Sequence, residues 1–299
     1  MLPKERILKM KSFKGIFPAL LTPFDANDNI NTAELKKLVE RNIEQGVNGF
    51  YVAGSTGEAF LLSEEERRLV YATVKEAAGD RVTLIAHVGT VSTKQAVEYA
   101  KYVESIGYDA VSAVAPFYYK FSNAQVVEHY KTIADSVKIP LIIYNIPSFS
   151  GVELTLDEIA DLLSHENILG VKYTSNDYFK LQQIRERCPE AIIYNGFDEM
   201  MISGLAMGAD GGIGSTYNFM ADKFIKIQQL WQSGDVKGAQ ELQWQANKII
   251  TALCKVGVMA GEKEVLNLLG FDFGVCRKPF GSLDDEQIAY LKDTILPLL

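Results

Sequence analysis

Lys172 lies inside an apolar run, ILGVKYTS (168–175), with Gly170 and Val171 just before it. A lysine is seldom buried without a partner. In apolar surroundings its pKa falls, and the neutral amine is the nucleophile that forms imines with ketones. The alternative is a strand-end lysine whose stem is buried and whose ammonium snorkels to water; position alone leaves both open. Tyr144 closes the preceding run, LIIYNIP (141–147), as Lys172 closes the next. A phenol beside such a lysine can carry protons to and from an alkoxide or carbinolamine, or it can simply be a packed tyrosine with its hydroxyl satisfied. Gly54-Ser55-Thr56-Gly57-Glu58 supplies small residues at a turn, where backbone N–H groups and hydroxyls converge on an anion. A carboxylate suits this turn better than a phosphate, since the GK[ST] ending of a P-loop is absent; a tight turn without a ligand is the other reading. Asp198, Glu199 and Ser215, in YNGFDE (194–199) and GGIGSTYN (211–218), offer acceptors and a hydroxyl to sugar hydroxyl groups. The two acids could equally be a helix N-cap and its first-turn carboxylate.

The elements that must position these residues recur with a regular period. Apolar, β-branched runs occupy Gly15–Phe24, Gly49–Gly54, Thr83–Gly89, Ala110–Pro116, Pro140–Pro147, Ile168–Ser175, Ala191–Asp198 and Gly211–Thr216. Their starts are 20 to 34 residues apart, room for one crossover helix each. Continuous rather than alternating apolar runs are what strands buried on both faces require. Ser63–Glu66, Ser92–Gln95, Ser122–Gln125 and Thr155–Glu158 have the S/T-x-x-E/Q form of a helix N-terminus. Eight such units in series predict a (β/α)8 TIM barrel, in which chemistry sits where the strands end. A doubly wound sheet is the weaker alternative, because the Gly-rich fingerprint in a first turn is missing. Beyond Thr216 the strand pattern stops, and helices are expected over Asp222–Ser233, Val236–Val256, Glu262–Leu269 and Asp285–Leu298. The expected organisation is an N-terminal tail (1–14), a barrel (15–232) and a C-terminal helical extension (233–299) packed on it.

Composition narrows the function. The 299 residues are 47% hydrophobic and carry a net charge of −8, which disfavours nucleic acid as a partner. Cys188, Cys254 and Cys276 are odd in number and scattered, so neither a disulfide framework nor a CxxC metal pair is expected. The opening residues have no apolar core of a secretory signal, and no window approaches a membrane span. A cytoplasmic protein is expected. His87, His129 and His165 are far apart in sequence and belong to no metal or catalytic signature, so structural roles are expected for them.

Taken together, the segments from GIFPALLTPF to CRKPFG (276–281) resemble the pyruvate-dependent class I aldolase superfamily that contains the N-acetylneuraminate lyases and the dihydrodipicolinate synthases. GSTGE, YNIP and GVKYTS carry the resemblance. It implies that Lys172 forms the Schiff base, that Tyr144 relays protons, and that Ser55 and Thr56 bind the pyruvate carboxylate. The synthases place an arginine shortly after YNxP; here the chain reads YNIPSFSG (144–151) with none, which disfavours an amino-acid semialdehyde. YNGFDE, GGIGSTYN, AHVGTVST and PFYY resemble the N-acetylneuraminate lyase branch. They imply that Thr174, Gly196, Asp198, Glu199 and Ser215 hold the polyhydroxyl chain of N-acetylneuraminate, which is cleaved to N-acetylmannosamine and pyruvate. The same resemblance implies a homotetramer in which Tyr118, or its neighbour Tyr119, enters the adjoining subunit's site to complete a relay with Ser55 and Tyr144. No metal, organic cofactor, nucleic acid or membrane partner is expected. The rival readings are an aldolase of the superfamily acting on another 2-keto-3-deoxy sugar acid or in the manner of a dihydrodipicolinate synthase, and a non-catalytic ligand-binding barrel.

Overall fold

A computed structural model describes residues 12–299; most of the expected tail, 1–11, lies outside the described residues. Eight parallel strands follow one another in sequence order: β1 (Gly15–Pro18), β2 (Gly49–Val52), β3 (Thr83–His87), β4 (Ala110–Val114), β5 (Leu141–Asn145), β6 (Ile168–Tyr173), β7 (Ile192–Asn195) and β8 (Gly211–Gly214). Each of the eight expected runs contains one. The runs are longer than the strands because they continue into the loops at the strands' C-terminal ends, whose apolar residues are also buried. The sheet curls round so that β1 pairs with β8. Its remaining gap is bridged by Leu20 N donating to Tyr51 O and Asn48 N to Ile16 O.

Between the strands run α1 (Thr32–Glu44), α2 (Glu64–Ala78), α3 (Thr93–Ser105), α4 (Asn123–Asp135), α5 (Leu156–Ser164), α6 (Tyr178–Arg187) and the short α7 (Met201–Ala206). α8 (Tyr217–Gln232) completes the ring, and α9 (Val236–Val256), α10 (Val258–Leu268) and α11 (Asp285–Ile295) follow. Ser63, Ser122 and Thr155 each make the reciprocal bonds of a capping box. Ser92 accepts from Gln95 N without the return bond. A fourth box, Asp284 with Gln287, starts α11; there the cap is a carboxylate rather than the expected hydroxyl.

The core has two shells. Phe17, Tyr51, Ile85, Ile142, Tyr194 and Ile213 fill the barrel interior, joined by Phe13 from the end of the expected tail. A larger shell lies between strands and helices, including Leu38, Val74, Val103, Ile133, Ile159 and Phe224. Each such side chain contributes roughly 1.5–3 kcal/mol by leaving water, which is how strands of four to six residues hold together.

Candidate active site

The strand ends bring the expected residues to one mouth. Tyr144 on β5 and Lys172 on β6 are direct partners in the ladder, and Lys172 is also paired with Tyr194 on β7. Which way Lys172 points is decided by an irregularity. Leu141 pairs with Ile168 but Ile142 with Gly170, so β6 carries one extra residue at Leu169. Simple alternation from the outward-facing Ile168 would put residue 172 outside as well. The bulge reverses the phase: Leu169 joins the interior, Val171 and Tyr173 face outward, and Lys172 turns inward. Gly170 permits this, because a Cβ there would lie 2.0 Å from the Ile192 carbonyl oxygen.

Inside the mouth the Lys172 amine sits 4.1 Å from the centre of the Tyr144 ring and 4.5 Å from that of Tyr51. The side chain is buried, and burial lowers its pKa to about 7, with the Asp198 charge opposing the shift. The snorkelling alternative is therefore excluded. At neutral pH a large share of this amine is unprotonated and able to attack a carbonyl. Tyr144 is pushed the other way, to about 12, chiefly by burial; Ser55 and Thr174 hydroxyls pull it down and Asp198 adds to the rise. It thus keeps its proton at neutral pH, as a relay requires and a free base does not. Thr174 Oγ1 is buried without a hydrogen bond of good geometry among the described residues, leaving it available to a ligand.

The turn after β2 leaves backbone donors at the mouth that could receive an anion. Among the described residues neither the Ser55 nor the Thr56 amide donates a backbone hydrogen bond, and both residues are half-exposed at the mouth. Ala53 and Glu58 bracket the turn with positive φ values of 54° and 56°, a strain that persists only where surroundings enforce it. At one end His87 does so. Its Nε2 accepts from Val114 N, so Nδ1 carries the proton and donates to Ala53 O. Burial, with Arg67 nearby, holds His87 well below its ordinary pKa and therefore neutral. At the other end Glu58 forms a fully buried ion pair of 2.6 Å with Lys263 of α10 and accepts from Arg277 N.

Opposite this turn, Asp198 opens a helical turn after β7 and accepts from both the amide and the hydroxyl of Thr216. This is the capping alternative in part, made across to the next loop. Burial raises Asp198 to about 6, so it remains mostly ionised at pH 7. Two glycines allow the close approach: a Cβ on Gly214 would fall 1.9 Å from Asp198 Oδ1, and one on Gly196 1.9 Å from Thr174 Oγ1. Glu199 is exposed, and its backbone carbonyl accepts from Asn247 of α9. Ser215 donates to Glu262 of α10. Tyr118 stands apart: its side chain is 86% exposed, its φ is 75°, and it packs edge-on against Tyr119, not against Tyr144.

Sequence reasoning missed Tyr51 and Glu262 at this mouth, and the bracing roles of His87 and Glu58. Glu262 carried a signal, since it precedes Val265 and Leu266 by three and four positions and so lies on the buried face of its helix. The helix starts at Val258, before the expected Glu262, which puts the carboxyl in its middle. α8 likewise begins at Tyr217, before the expected Asp222, with a kink at Met220, because Asn218 bonds Ala19 and Ser215 carbonyls and holds the turn tight.

Fold and site together are those of a (β/α)8 barrel with a lysine equipped for carbonyl chemistry at the C-terminal mouth of its strands. The chain belongs to the dihydrodipicolinate synthetase family, whose pattern matches residues 12–296. It is 48% identical to the N-acetylneuraminate lyase of Citrobacter koseri, over 94% of this chain and 96% of that one. Identity is 44% to the N-acetylneuraminate lyase of Rhizobium meliloti, over 96% and 95%. Among solved structures, that of CdNal from Clostridium difficile, determined in complex with mannosamine, superposes with a TM-score of 0.94 at 39% identity, covering 97% of this chain and all of that one.

Proposed function

We propose that this enzyme, an aldolase, cleaves N-acetylneuraminate reversibly to N-acetylmannosamine and pyruvate through an imine on Lys172. The observation that carries the reading is the buried Lys172 amine, its pKa lowered to about 7, packed on the Tyr144 ring. The names of the curated relatives support the choice of substrate within the family.

Lys172 Nζ adds to the keto carbon, C2, of the open-chain substrate; loss of water leaves a protonated imine. The C4 hydroxyl proton passes to Tyr144 as the phenol hands its own toward Ser55, with which it interacts. The C3–C4 bond then breaks, its electron pair flows to C3 and into the iminium as an enamine, and C4 leaves as the aldehyde of N-acetylmannosamine. Protonation of C3 and hydrolysis release pyruvate and restore the amine. The Ser55 and Thr56 amides and hydroxyls hold the substrate carboxylate beside the imine. Thr174, Gly196, Asp198, Glu199 and Ser215 line the path of the polyhydroxyl chain, with Asp198 accepting from its hydroxyls.

The relay needs a further hydroxyl, and the exposed Tyr118 supplies it to a second copy of the chain within a homotetramer; its strained φ is consistent with a residue held ready for a partner. Borohydride reduction of the enzyme with pyruvate tests the central step. One pyruvyl-derived mass on the peptide carrying Lys172 is expected; no adduct, or an adduct elsewhere, overturns the mechanism.

A further inference from the structure

Glu262 is fully buried, lies on α10 beyond the barrel proper, and belongs to no part of the mechanism above. Its Oε1 accepts from the Ser215 hydroxyl at 2.5 Å, while Oε2 has no hydrogen-bond partner among the described residues. A buried carboxyl with a single neutral partner costs stability, since each unmet polar group pays its desolvation. Packing does not explain it, because the flanking Gly261, Val265 and Leu266 already bury this face of the helix. Such groups persist where function needs them. The consequence for Ser215 follows from the direction of that bond. Its one hydroxyl proton is committed to Glu262, so only its lone pairs remain for a ligand.

We infer that Glu262 is a positioning residue for substrate recognition: by taking the Ser215 proton it makes Ser215 an obligate acceptor, selecting a substrate that places a hydroxyl donor there. The inference rests on the proposed sugar-acid substrate and assigns a task to the helices that follow the barrel. Burial, with Asp198 adding to the rise, takes the Glu262 pKa to about 8, so at neutral pH the carboxyl is mostly protonated; Oε1 is the acceptor for Ser215 when that proton sits on Oε2, the oxygen with no partner among the described residues.

Three variants test this. Glu262→Gln keeps a carbonyl acceptor for Ser215 and should hold KM for N-acetylneuraminate within about twofold. Glu262→Leu removes the acceptor and should raise KM about tenfold, the value of one hydrogen bond, with kcat and the rate of pyruvate trapping by borohydride unchanged. Ser215→Ala should raise KM by a similar factor, and the double variant carrying Glu262→Leu with Ser215→Ala should do no more than Ser215→Ala alone. The inference falls if Glu262→Leu leaves KM unchanged, if the two effects multiply, or if pyruvate trapping slows as well. Should Glu262→Leu not fold, infrared difference spectra decide. Substrate binding should shift a carboxyl C=O band of the wild type that is absent in Glu262→Gln, and the shift should vanish in Ser215→Ala; no shift overturns the inference. A wild type that traps no pyruvate would instead sink the imine mechanism, which separates the two failures.

Discussion

At the scale of single residues, the barrel mouth works by moving two pKa values apart. Burial removes solvation from the charged form of Lys172 and from the charged form of Tyr144 alike, so the amine loses its proton more readily and the phenol keeps its own. At pH 7 about half of the amine is therefore unprotonated while the phenol holds its proton, the states in which an amine can attack a carbonyl and a phenol can carry a proton. The sign of the pH dependence follows. Below about pH 7 the Lys172 amine is increasingly protonated, so the rate of pyruvate imine formation in the free enzyme should fall about tenfold per pH unit; above it the rate should level off. Borohydride trapping rates between about pH 5 and pH 8 measure this, and a rate still rising as steeply beyond that range would mean that Lys172 keeps an ordinary pKa. Lys172 was visible in the sequence as a charge within an apolar run. Its loss of charge stood there only as one of two readings, because desolvation depends on Tyr51 and Tyr144, which come from other strands.

At the scale of elements, the decisive feature is the extra residue in β6. Strand geometry alternates faces with a period of two, so a single inserted residue moves every later side chain to the opposite face. Gly170 lies where β6 crosses the Ile192 carbonyl, and no Cβ fits there. Gly170→Ala must push β6 away from β7 or undo the bulge. Displacing Lys172 by about an ångström should cut kcat roughly a hundredfold, and thermal unfolding should come earlier. Activity within a few-fold of wild type would show that the bulge does not set the direction of the lysine. The capped helix starts show the opposite relation. Ser63, Ser122 and Thr155 are legible because a cap is a contact within four residues of chain. The bulge is only half legible: a glycine inside an apolar strand hints at a bulge or a close backbone approach, but which residue is extra depends on the pairing with β5.

At the scale of the whole molecule, two features reach beyond any single βα unit. One ties the loops of the mouth to the helices after the barrel: Glu58 to Lys263, Ser215 to Glu262, Glu199 to Asn247, and Arg277 to Glu66 and Asp28. The other is the exposed Tyr118–Tyr119 pair, which no described residue covers enough to bury and which is open to a second copy of the chain. If Tyr118 completes a neighbour's site, then Lys172→Ala and Tyr118→Ala enzymes, each nearly inactive, should regain activity when unfolded together and reassembled. A mixed pair holds one site with both native residues. Pyruvate release from the mixture no greater than from the separate proteins would place the relay within one chain.

The sequence by itself determined the barrel, the order of its strands, the helix starts and the residue types gathered at its mouth. These follow from hydrophobic period, capping and turn chemistry, all read within a few neighbouring positions. The tertiary structure alone decided that Lys172 faces inward, that burial lowers the pKa of its amine to about 7, that His87 and Glu58 brace the turn after β2, and that Glu262 stands behind Ser215. Each of these depends on atoms distant in sequence, as with Glu262, 47 positions from the serine it holds. Desolvation and hydrogen-bond satisfaction are sums over such neighbours, and only the closed barrel, with its final helices laid against it, brings them together.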